Sequence, residues 1–264
     1  MLNFTIGLVY SSLISFAAYK KSSLNISGFL AAIALGTAIY FFGGLWFFNI
    51  MIAFFVSSSL LTKFKGINKK YLDKLNEKDG RRDYIQVFVN GGIGLVLAIL
   101  YYIYNSPIFL LAYAVSFGVA TSDTWASEVG VLSKDKPLSI LTLKPIEKGM
   151  SGGISILGTT FAFLGSAFIS SMFLIAYIVI YNDIRQGLTY SLVCLILGFI
   201  GSIIDSILGA SIQAQYYCEE IKSFTEKKVY KNKPNRLVKG FSIINNDVVN
   251  FVSNLLATLM VFLL

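Results

Sequence analysis

Residues 107–128, PIFLLAYAVSFGVATSDTWASE, run from an apolar stretch directly into the polar hexapeptide DTWASE (123–128). The apolar part, residues 107–122, approaches the length of a transmembrane helix. A carboxylate at such a boundary is costly, because a charge at the centre of a bilayer-spanning helix costs about 2.5–3.5 kcal/mol on insertion scales. The hexapeptide nevertheless holds Asp123 and Glu128, with two hydroxyls between them. This density of oxygen atoms suits a hard cation such as Mg²⁺, which usually brings phosphate groups with it.

The composition of the whole chain indicates a polytopic membrane protein. Of its 264 residues, 55% are hydrophobic and 14% are charged, whereas a soluble domain carries about 25% charged residues. Several apolar runs approach about 20 residues, which is enough to span a bilayer as a helix. The first run, residues 2–19, lacks a basic leader and a small-residue cleavage site, so we interpret it as a retained helix. We predict one integral membrane domain over residues 1–264.

The titratable side chains limit the chemistry. Histidine is absent, which excludes His-based metal sites and removes the commonest general base. The two cysteines, Cys194 in an apolar run and Cys218 in a basic loop, do not indicate a disulfide framework. Any reaction must therefore use carboxylates, hydroxyls, amides and lysines.

The hydropathy pattern predicts an all-α transmembrane bundle of about eight spans. The predicted spans are residues 2–19, 25–42, 44–62, 84–103, 107–122, 153–181, 188–208 and 243–263. The fifth span is short, and its polar end is compatible with a broken helix. The sixth is long, which is compatible with a tilt.

The basic residues predict how these spans are oriented. Of the 22 basic residues, all except Arg185 follow odd-numbered spans. The positive-inside rule then predicts that both termini lie outside a cell membrane. The long loops, residues 63–83, 123–152 and 209–242, are predicted to lie in the cytosol. These basic loops could act as topology signals alone, or could also attract anionic lipid or nucleotide.

Four further polar clusters interrupt the apolar sequence, each at a predicted cytosolic helix end. They are Gln86, Asn90 and Gly94 with Gly91 and Gly92; Ser151, Gly152 and Gly153; Ser202, Asp205, Ser206, Gly209 and Gln213; and Asn245, Asn246, Asp247, Asn250 and Asn254. In three of them the spacing places polar side chains on one helix face. Small-residue helix contacts, a helix cap and interhelical polar contacts are alternative interpretations of single clusters. A common position on one side of the membrane favours a shared site.

Helix direction distinguishes two halves of this site. Asp123 and Asp205 fall near the predicted C-termini of their spans, where the helix dipole disfavours a carboxylate and a cation is needed. Gly152 and Gly153 are predicted to open the sixth span, where free N–H groups bind anions. Metal ligands that face a phosphate site are the groups needed for phosphoryl transfer.

We therefore predict a Mg²⁺-dependent site. The predicted catalytic residues are Asp123, Glu128 and Asp205, and Asp247 is a further predicted metal ligand. The residues predicted to bind phosphate or nucleotide are Asn90, Thr124, Ser127, Lys144, Lys148, Ser151, Gly152, Gly153, Ser206, Gly209, Gln213, Asn246 and Asn250. A phosphate monoester has a second pKa of about 6 and needs no base to remove its proton. A lipid monophosphate acceptor therefore suits a chain without histidine, and no nucleic-acid partner is predicted.

Five segments resemble an integral membrane family that contains plant phytyl-phosphate kinase and transmembrane protein 19. They are GRRDYIQVFVNGG (80–92), SDTWASEVG (122–130), KGMSGG (148–153), GSIIDSILGASIQ (201–213) and NNDVVNF (245–251). The resemblance implies a kinase that uses a nucleoside triphosphate to convert an isoprenoid monophosphate into the diphosphate. A phytyl substrate implies a plastid pathway, whereas the Lys-, Asn- and Ile-rich composition predicts a microbial protein without a transit segment. We therefore expect farnesyl or geranylgeranyl phosphate to be as good a candidate for the acceptor substrate as phytyl phosphate.

Two other functions remain open. An ion-coupled secondary transporter also carries intramembrane acids and broken helices. It would place them near the midplane, however, whereas here they lie on one side, and the opposite connections at 42–45 and 104–107 are short. A lipid nucleotidyltransferase would use the same metal and phosphate groups, and it would release pyrophosphate instead of a nucleoside diphosphate. The sequence leaves the oligomeric state open.

Overall fold

The computed structural model describes residues 2–64, 80–148 and 150–264. Within these residues, seven helices are long and apolar enough to cross a membrane. They are α1 (Leu2–Lys20), α2 (Ile26–Lys63), α3 (Tyr84–Tyr104), α4 (Pro107–Gly130), α5 (Ile156–Tyr181), α6 (Ile184–Ser211) and α7 (Asn246–Leu259), which a 3₁₀ turn (Met260–Leu263) extends. The centre of the predicted loop 63–83, residues 65–79, and Gly149 lie outside the described residues.

Helix α2 consists of two antiparallel arms that meet at Gly44. This residue has φ 74° and ψ −165°, a conformation that is essentially restricted to glycine. A Cβ built on Gly36 would lie 3.4 Å from Met51 Cε, whereas a straight helix would separate these residues by about 22 Å. The rings of Tyr40 and Phe48 also meet across the turn, with centroids 5.6 Å apart. The described chain therefore makes eight crossings, as the hydropathy pattern predicted.

Helix α4 forms the centre of the bundle. In its most apolar window 72% of the residues are buried, against 22–39% in the other helices. Close packing requires small residues here, since a Cβ on Gly118 would lie 3.5 Å from Gly198 Cα of α6. Polar pairs also join α4 to its neighbours: Tyr113 donates to the carbonyl of Phe47 of α2 at 2.7 Å. Such pairs fix the position of α4, on which two of the predicted site acids lie.

Two helix boundaries differ from the predicted ones. The residues after 122 were predicted to form a loop, but α4 continues to Gly130. The hydroxyl of Thr124 donates to the carbonyl of Ala120 at 2.7 Å, so it stays within the helical hydrogen-bond pattern. Ser151, Gly152 and Gly153 were predicted to open the next helix, but α5 begins at Ile156, and Ser155 caps it by accepting from Gly158 N at 3.1 Å.

The connections at one end of the bundle contain short strands that the sequence analysis did not predict. They are β1 (Leu138–Ser139), β2 (Gly153–Ile154), β3 (Gln215–Cys218), β4 (Ser223–Thr225), β5 (Val229–Tyr230), β6 (Lys233–Pro234) and β7 (Arg236–Lys239). Strands β1 and β2 pair, β5 and β6 pair, and β3 lies between β4 and β7; every pair is antiparallel. The segment between α6 and α7 is therefore a folded cap at the end of the bundle.

The two ends of the bundle differ in chemistry. Near the chain ends, Phe4 packs on Phe41 at 6.4 Å and Phe109 packs on Phe262 at 5.8 Å between ring centroids. The strands and basic connections lie at the other end, where Lys63 Nζ donates to the carbonyl of Lys21. Both chain ends therefore lie opposite the basic end, which is the arrangement that the positive-inside rule requires.

Cysteine labelling tests the orientation of this bundle. In a cysteine-free background, an impermeant thiol reagent added to intact cells should leave Lys231→Cys unmodified and should modify Tyr104→Cys. The two exposed positions lie at opposite ends of the bundle. Labelling of Lys231→Cys without labelling of Tyr104→Cys would contradict the predicted orientation.

Candidate functional site

A polar cavity of about 690 Å³ opens at the basic end of the bundle. It brings together all of the predicted site residues except Lys144. The predicted residues in its lining are Asn90, Asp123, Thr124, Ser127, Glu128, Lys148, Ser151, Gly152, Gly153, Asp205, Ser206, Gly209, Gln213, Asn246, Asp247 and Asn250. They come from four helices, the connection before α5 and, for Gln213, the segment between α6 and α7, so tertiary packing assembles the site.

Asp205 on α6 is a buried acid that two hydrogen bonds hold in the cavity. Its side chain is buried, and its Oδ2 accepts a hydrogen bond of 2.9 Å from the hydroxyl of Ser253 on α7. The amide of Asn250, oriented to satisfy its neighbours, donates to the same oxygen at 3.0 Å and to the carbonyl of Asn246 at 3.1 Å. Two neutral donors therefore orient this carboxylate.

Asp123 and Glu128 lie on the last two turns of α4, and Asp123 lies near the carboxylate of Asp205. Asp123 interacts electrostatically with both Glu128 and Asp205. Glu128 Oε1 accepts from the hydroxyl of Thr62 at 2.7 Å. The cavity thus holds closely spaced like charges, which a bound cation would stabilise.

The helix dipole does not explain this need for a cation. Asp123 and Asp205 lie about two turns before their helices end at Gly130 and Ser211. The helix dipole acts mainly within the last turn. The prediction that it disfavours these two carboxylates is therefore wrong. The negative charge of these carboxylates is disfavoured by burial and by the neighbouring carboxylates instead.

The loop before α5 packs against the end of α6. Gly152 has φ 78°, and a Cβ there would lie 2.3 Å from Ala210 Cβ. Gly153 N donates to the carbonyl of Met150 at 3.2 Å, so it is not a free anion donor at a helix N-terminus as predicted. The hydroxyl of Ser151 points to Glu226 Oε1, at 3.1 Å.

Glu226 is a cavity residue that the sequence analysis missed. It follows β4 in the cap, accepts from Gln213 Nε2 at 2.9 Å, and interacts electrostatically with Asp205. In the sequence Glu226 is one of three glutamates in the basic loop 209–242, and no helical or strand periodicity singles it out. Only the folding of the cap brings it to the cavity.

Arg82 is a second cavity residue that was not among the predicted site residues, because it was considered only as one of the basic residues of the loop 63–83. Its guanidinium donates to the hydroxyl of Ser59 at 3.1 Å and lies 5.6 Å and 5.5 Å from the ring centroids of Phe54 and Phe55. Removal of water lowers the pKa of Arg82 to about 10, and nearby Glu128 acts in the opposite direction. Arg82 therefore stays charged at neutral pH.

The two predicted phosphate-binding lysines differ in position. Lys148 lines the cavity, and its Nζ donates to the carbonyl of Ser133. Lys144 is exposed and lies outside the lining, in the turn where its carbonyl accepts from Ser139 N at 2.9 Å. Its placement does not support the predicted role in phosphate binding.

The donor chemistry of the cavity fits a hard cation. Among the described residues, no three Asp, Glu, His or Cys side chains are gathered as a metal-binding group. Mg²⁺, however, is commonly held by one or two carboxylates together with waters and substrate phosphates. Asp123 and Asp205 provide such a pair, and Glu128 and Asp247 line the same cavity.

Comparison with known proteins gives several matches. The sequence model of the family described as integral membrane protein DUF92 matches residues 9–258. Protein PGR of Arabidopsis thaliana is 34% identical over 271 residues, which cover 95% of this chain and 92% of that protein. The uncharacterized membrane protein MJ0933 of Methanocaldococcus jannaschii is 33% identical over 191 residues, covering 72% and 75% of the two chains.

A second plant relative is more distant. Protein VTE6, chloroplastic, of Arabidopsis thaliana is 28% identical over 251 residues, which cover 92% of this chain and 66% of that protein. No solved structure matches this chain significantly.

Proposed function

This chain belongs to the integral membrane protein family DUF92, and from that membership and the polar cavity we propose that it is a membrane-bound isoprenoid-phosphate kinase. It would transfer a phosphoryl group from a nucleoside triphosphate to an isoprenoid monophosphate. The observation that carries this proposal is the placement of Asp123 and Asp205 in one cavity with several cationic side chains. The resemblance to the family of plant phytyl-phosphate kinase supports the type of acceptor.

The charges around the cavity suit two phosphate-bearing substrates. A triphosphate and a phosphate monoester together bring about five negative charges, which a kinase must offset. The basic residues Lys63, Arg81, Arg82 and Lys148 also line the cavity. Guanidinium groups bind phosphate through paired hydrogen bonds, and lysines add mobile positive charge.

Asp123 and Asp205 would hold the Mg²⁺ that we propose as cofactor, which when bound would offset phosphate charge and orient the substrates. Ser253 and Asn250 keep the Asp205 carboxylate in place for this role. The acceptor phosphate is largely ionised at neutral pH, so no side chain has to remove its proton. The absence of histidine from the chain is compatible with this chemistry.

Access to the cavity supports a cytosolic nucleotide. A volume of about 690 Å³ lies in the range of small-molecule sites, about 300–1,000 Å³. The cavity opens at the basic end of the bundle, which the positive-inside rule places in the cytosol. We therefore propose a cell-membrane enzyme whose active site faces the cytoplasm.

Product identification tests the proposed reaction. The purified protein would be incubated with Mg²⁺, a nucleoside triphosphate, and farnesyl or geranylgeranyl monophosphate. Release of nucleoside diphosphate together with the isoprenoid diphosphate is expected. Release of pyrophosphate would identify a nucleotidyltransferase instead. Absence of turnover with a panel of nucleotides and chain lengths, combined with ion-driven uptake in proteoliposomes, would favour a transporter.

Lys148→Ala is expected to raise KM for the nucleotide about tenfold or more, because a hydrogen bond to a charged group contributes about 1.5–3 kcal/mol. The melting temperature should change little, since Lys148 is exposed. Lys144→Ala is the matched control, four residues away and outside the cavity, and its kinetics should remain those of the wild type. Equal kinetics for both variants would remove Lys148 from the phosphate site.

A further inference from the structure

A second cavity, lined almost wholly by apolar groups, lies beside the polar one between α1, α2 and α3. Its walls include Ile14, Ala32, Leu35, Phe48, Met51 and Val87. The two cavities share Arg82, Gln86 and Asn90 in their linings. These three side chains therefore stand at the junction of a polar space and an apolar space, and one amphipathic molecule can contact both.

The junction carries a positioned positive charge. Ser59 and the rings of Phe54 and Phe55 hold the Arg82 guanidinium. These three partners are neutral and orient the guanidinium, and Glu128 of α4 is close enough to interact with it electrostatically. Asn90 is held in turn, since its Nδ2 donates to the carbonyl of Gln86 at 3.0 Å. A planar guanidinium with a neighbouring amide is well suited to a phosphate monoester.

The apolar cavity is narrow and reaches the outer surface of the bundle. Its volume is about 60 Å³, which suits a segment of one chain better than the paired acyl chains of a glycerophospholipid. Small residues on three helices line this space, namely Ser15, Ala32 and Gly91. Ala32 and Ile14 are only half-buried, so a chain that passes them can continue along the lipid-facing surface.

We propose that this apolar cavity holds the part of the isoprenoid chain nearest the phosphate, and that Arg82, Gln86 and Asn90 bind the acceptor phosphate at the junction. The inference rests on the proposed function for the identity of the acceptor. It assigns the acceptor to the side of α1, α2 and α3, and it leaves the remainder of the polar cavity to the nucleotide. The rest of the chain stays in the bilayer, where its apolar surface is already removed from water.

Filling the cavity tests this assignment. Ala32→Phe should weaken binding of farnesyl monophosphate, measured on purified protein without nucleotide, by about tenfold or more. The KM for nucleotide should stay within about twofold of the wild-type value, because the substitution lies outside the polar cavity. Ala34→Phe is the matched control. It adds the same side chain to the same arm of α2 at an exposed position outside both linings, and it should bind farnesyl monophosphate like the wild type.

A second variant keeps the test independent of folding. In a cysteine-free background, Ala32→Cys should react with a membrane-permeant maleimide, and farnesyl monophosphate should slow that reaction. Inorganic phosphate should not slow it, and phosphatidic acid should do so much less. Ala34→Cys should show no protection.

The outcomes separate this inference from the proposed function. The wild type could transfer a phosphoryl group to farnesyl monophosphate while a folded Ala32→Phe binds it normally and Ala32→Cys is not protected. That result would overturn the assignment of the apolar cavity and leave the proposed kinase activity standing. Protection of Ala32→Cys by farnesyl monophosphate without any transfer would support the cavity and contradict the kinase. If phosphatidic acid protected Ala32→Cys equally well, the proposal that a single isoprenoid chain occupies the cavity would be overturned.

Discussion

Replacing Asp205 with asparagine is expected to lower kcat/KM for phosphoryl transfer by about 10²-fold or more. The substitution keeps the size of the side chain and removes the negative charge that we propose as a cation ligand. The hydroxyl of Ser253 and the amide of Asn250, which now donate to Asp205 Oδ2, can still donate to an amide oxygen. The loss should therefore appear in turnover and Mg²⁺ dependence, while the melting temperature changes little.

Asp183→Asn is the matched control for this variant. Asp183 caps the N-terminus of the same helix at the opposite end of the bundle, where its side chain accepts from Gln186 N at 3.0 Å. Asparagine caps a helix about as well as aspartate, so turnover should be unchanged. Asp123→Asn should resemble Asp205→Asn. Near wild-type turnover in either cavity variant would contradict the proposed metal pair.

Gly152→Val is expected to lower turnover by about 10²-fold or more, because small displacements of groups in an active site carry penalties of this size. Gly152 has φ 78°, which a β-branched residue adopts only with strain, and its Cβ would lie 2.3 Å from that of Ala210. The loop must move away from α6, and the contact of Ser151 with Glu226 would be lost. Steady-state kinetics and a thermal unfolding curve measure the two effects.

Gly44→Val separates backbone strain from the steric clash. Gly44 has φ 74° and lies outside the cavity lining, and a Cβ there would meet nothing within 4 Å. This control should lose stability through strain while keeping most of its turnover. If Gly152→Val retained wild-type turnover, the loop before α5 would have no part in the site.

Hydropathy predicted the spans well because each one is a long apolar run, but it misplaced the helix ends at the site. Thr124 and Ser127 lower the hydropathy after residue 122. Their hydroxyls nevertheless donate to backbone carbonyls one turn earlier, at 2.7 and 3.1 Å, and the helix continues. Hydropathy reports preference for lipid, whereas a helix depends on its hydrogen bonds. Likewise, Ser151 and Ser155 are both possible caps, and the pairing of Gly153 with Ser139 leaves only Ser155 in that role.

The acids of the site were predictable because carboxylates in apolar sequence are rare. Glu226 and Arg82 were not, since each lies among many charged residues and only tertiary contacts single it out. Glu226 reaches the cavity through the antiparallel pairing of β3 and β4. The sequences of such short polar strands do not predict this pairing. The difference between Lys144 and Lys148 also depends on how the β1–β2 connection folds, and spacing alone does not reveal it.

The turn at Gly44 has a consequence for how the chain is inserted during synthesis. The turn FFGGL (41–45) carries no charged residue, so no polar loop has to be translocated between the arms of α2. Each arm is about 18 residues long and packs on the other, so the two arms can enter the bilayer together as a helical hairpin. Insertion of the pair returns Lys63 to the side of Lys21, whose carbonyl it contacts. The orientation of the first three crossings is then established before the ribosome reaches α4 and the acids of the site.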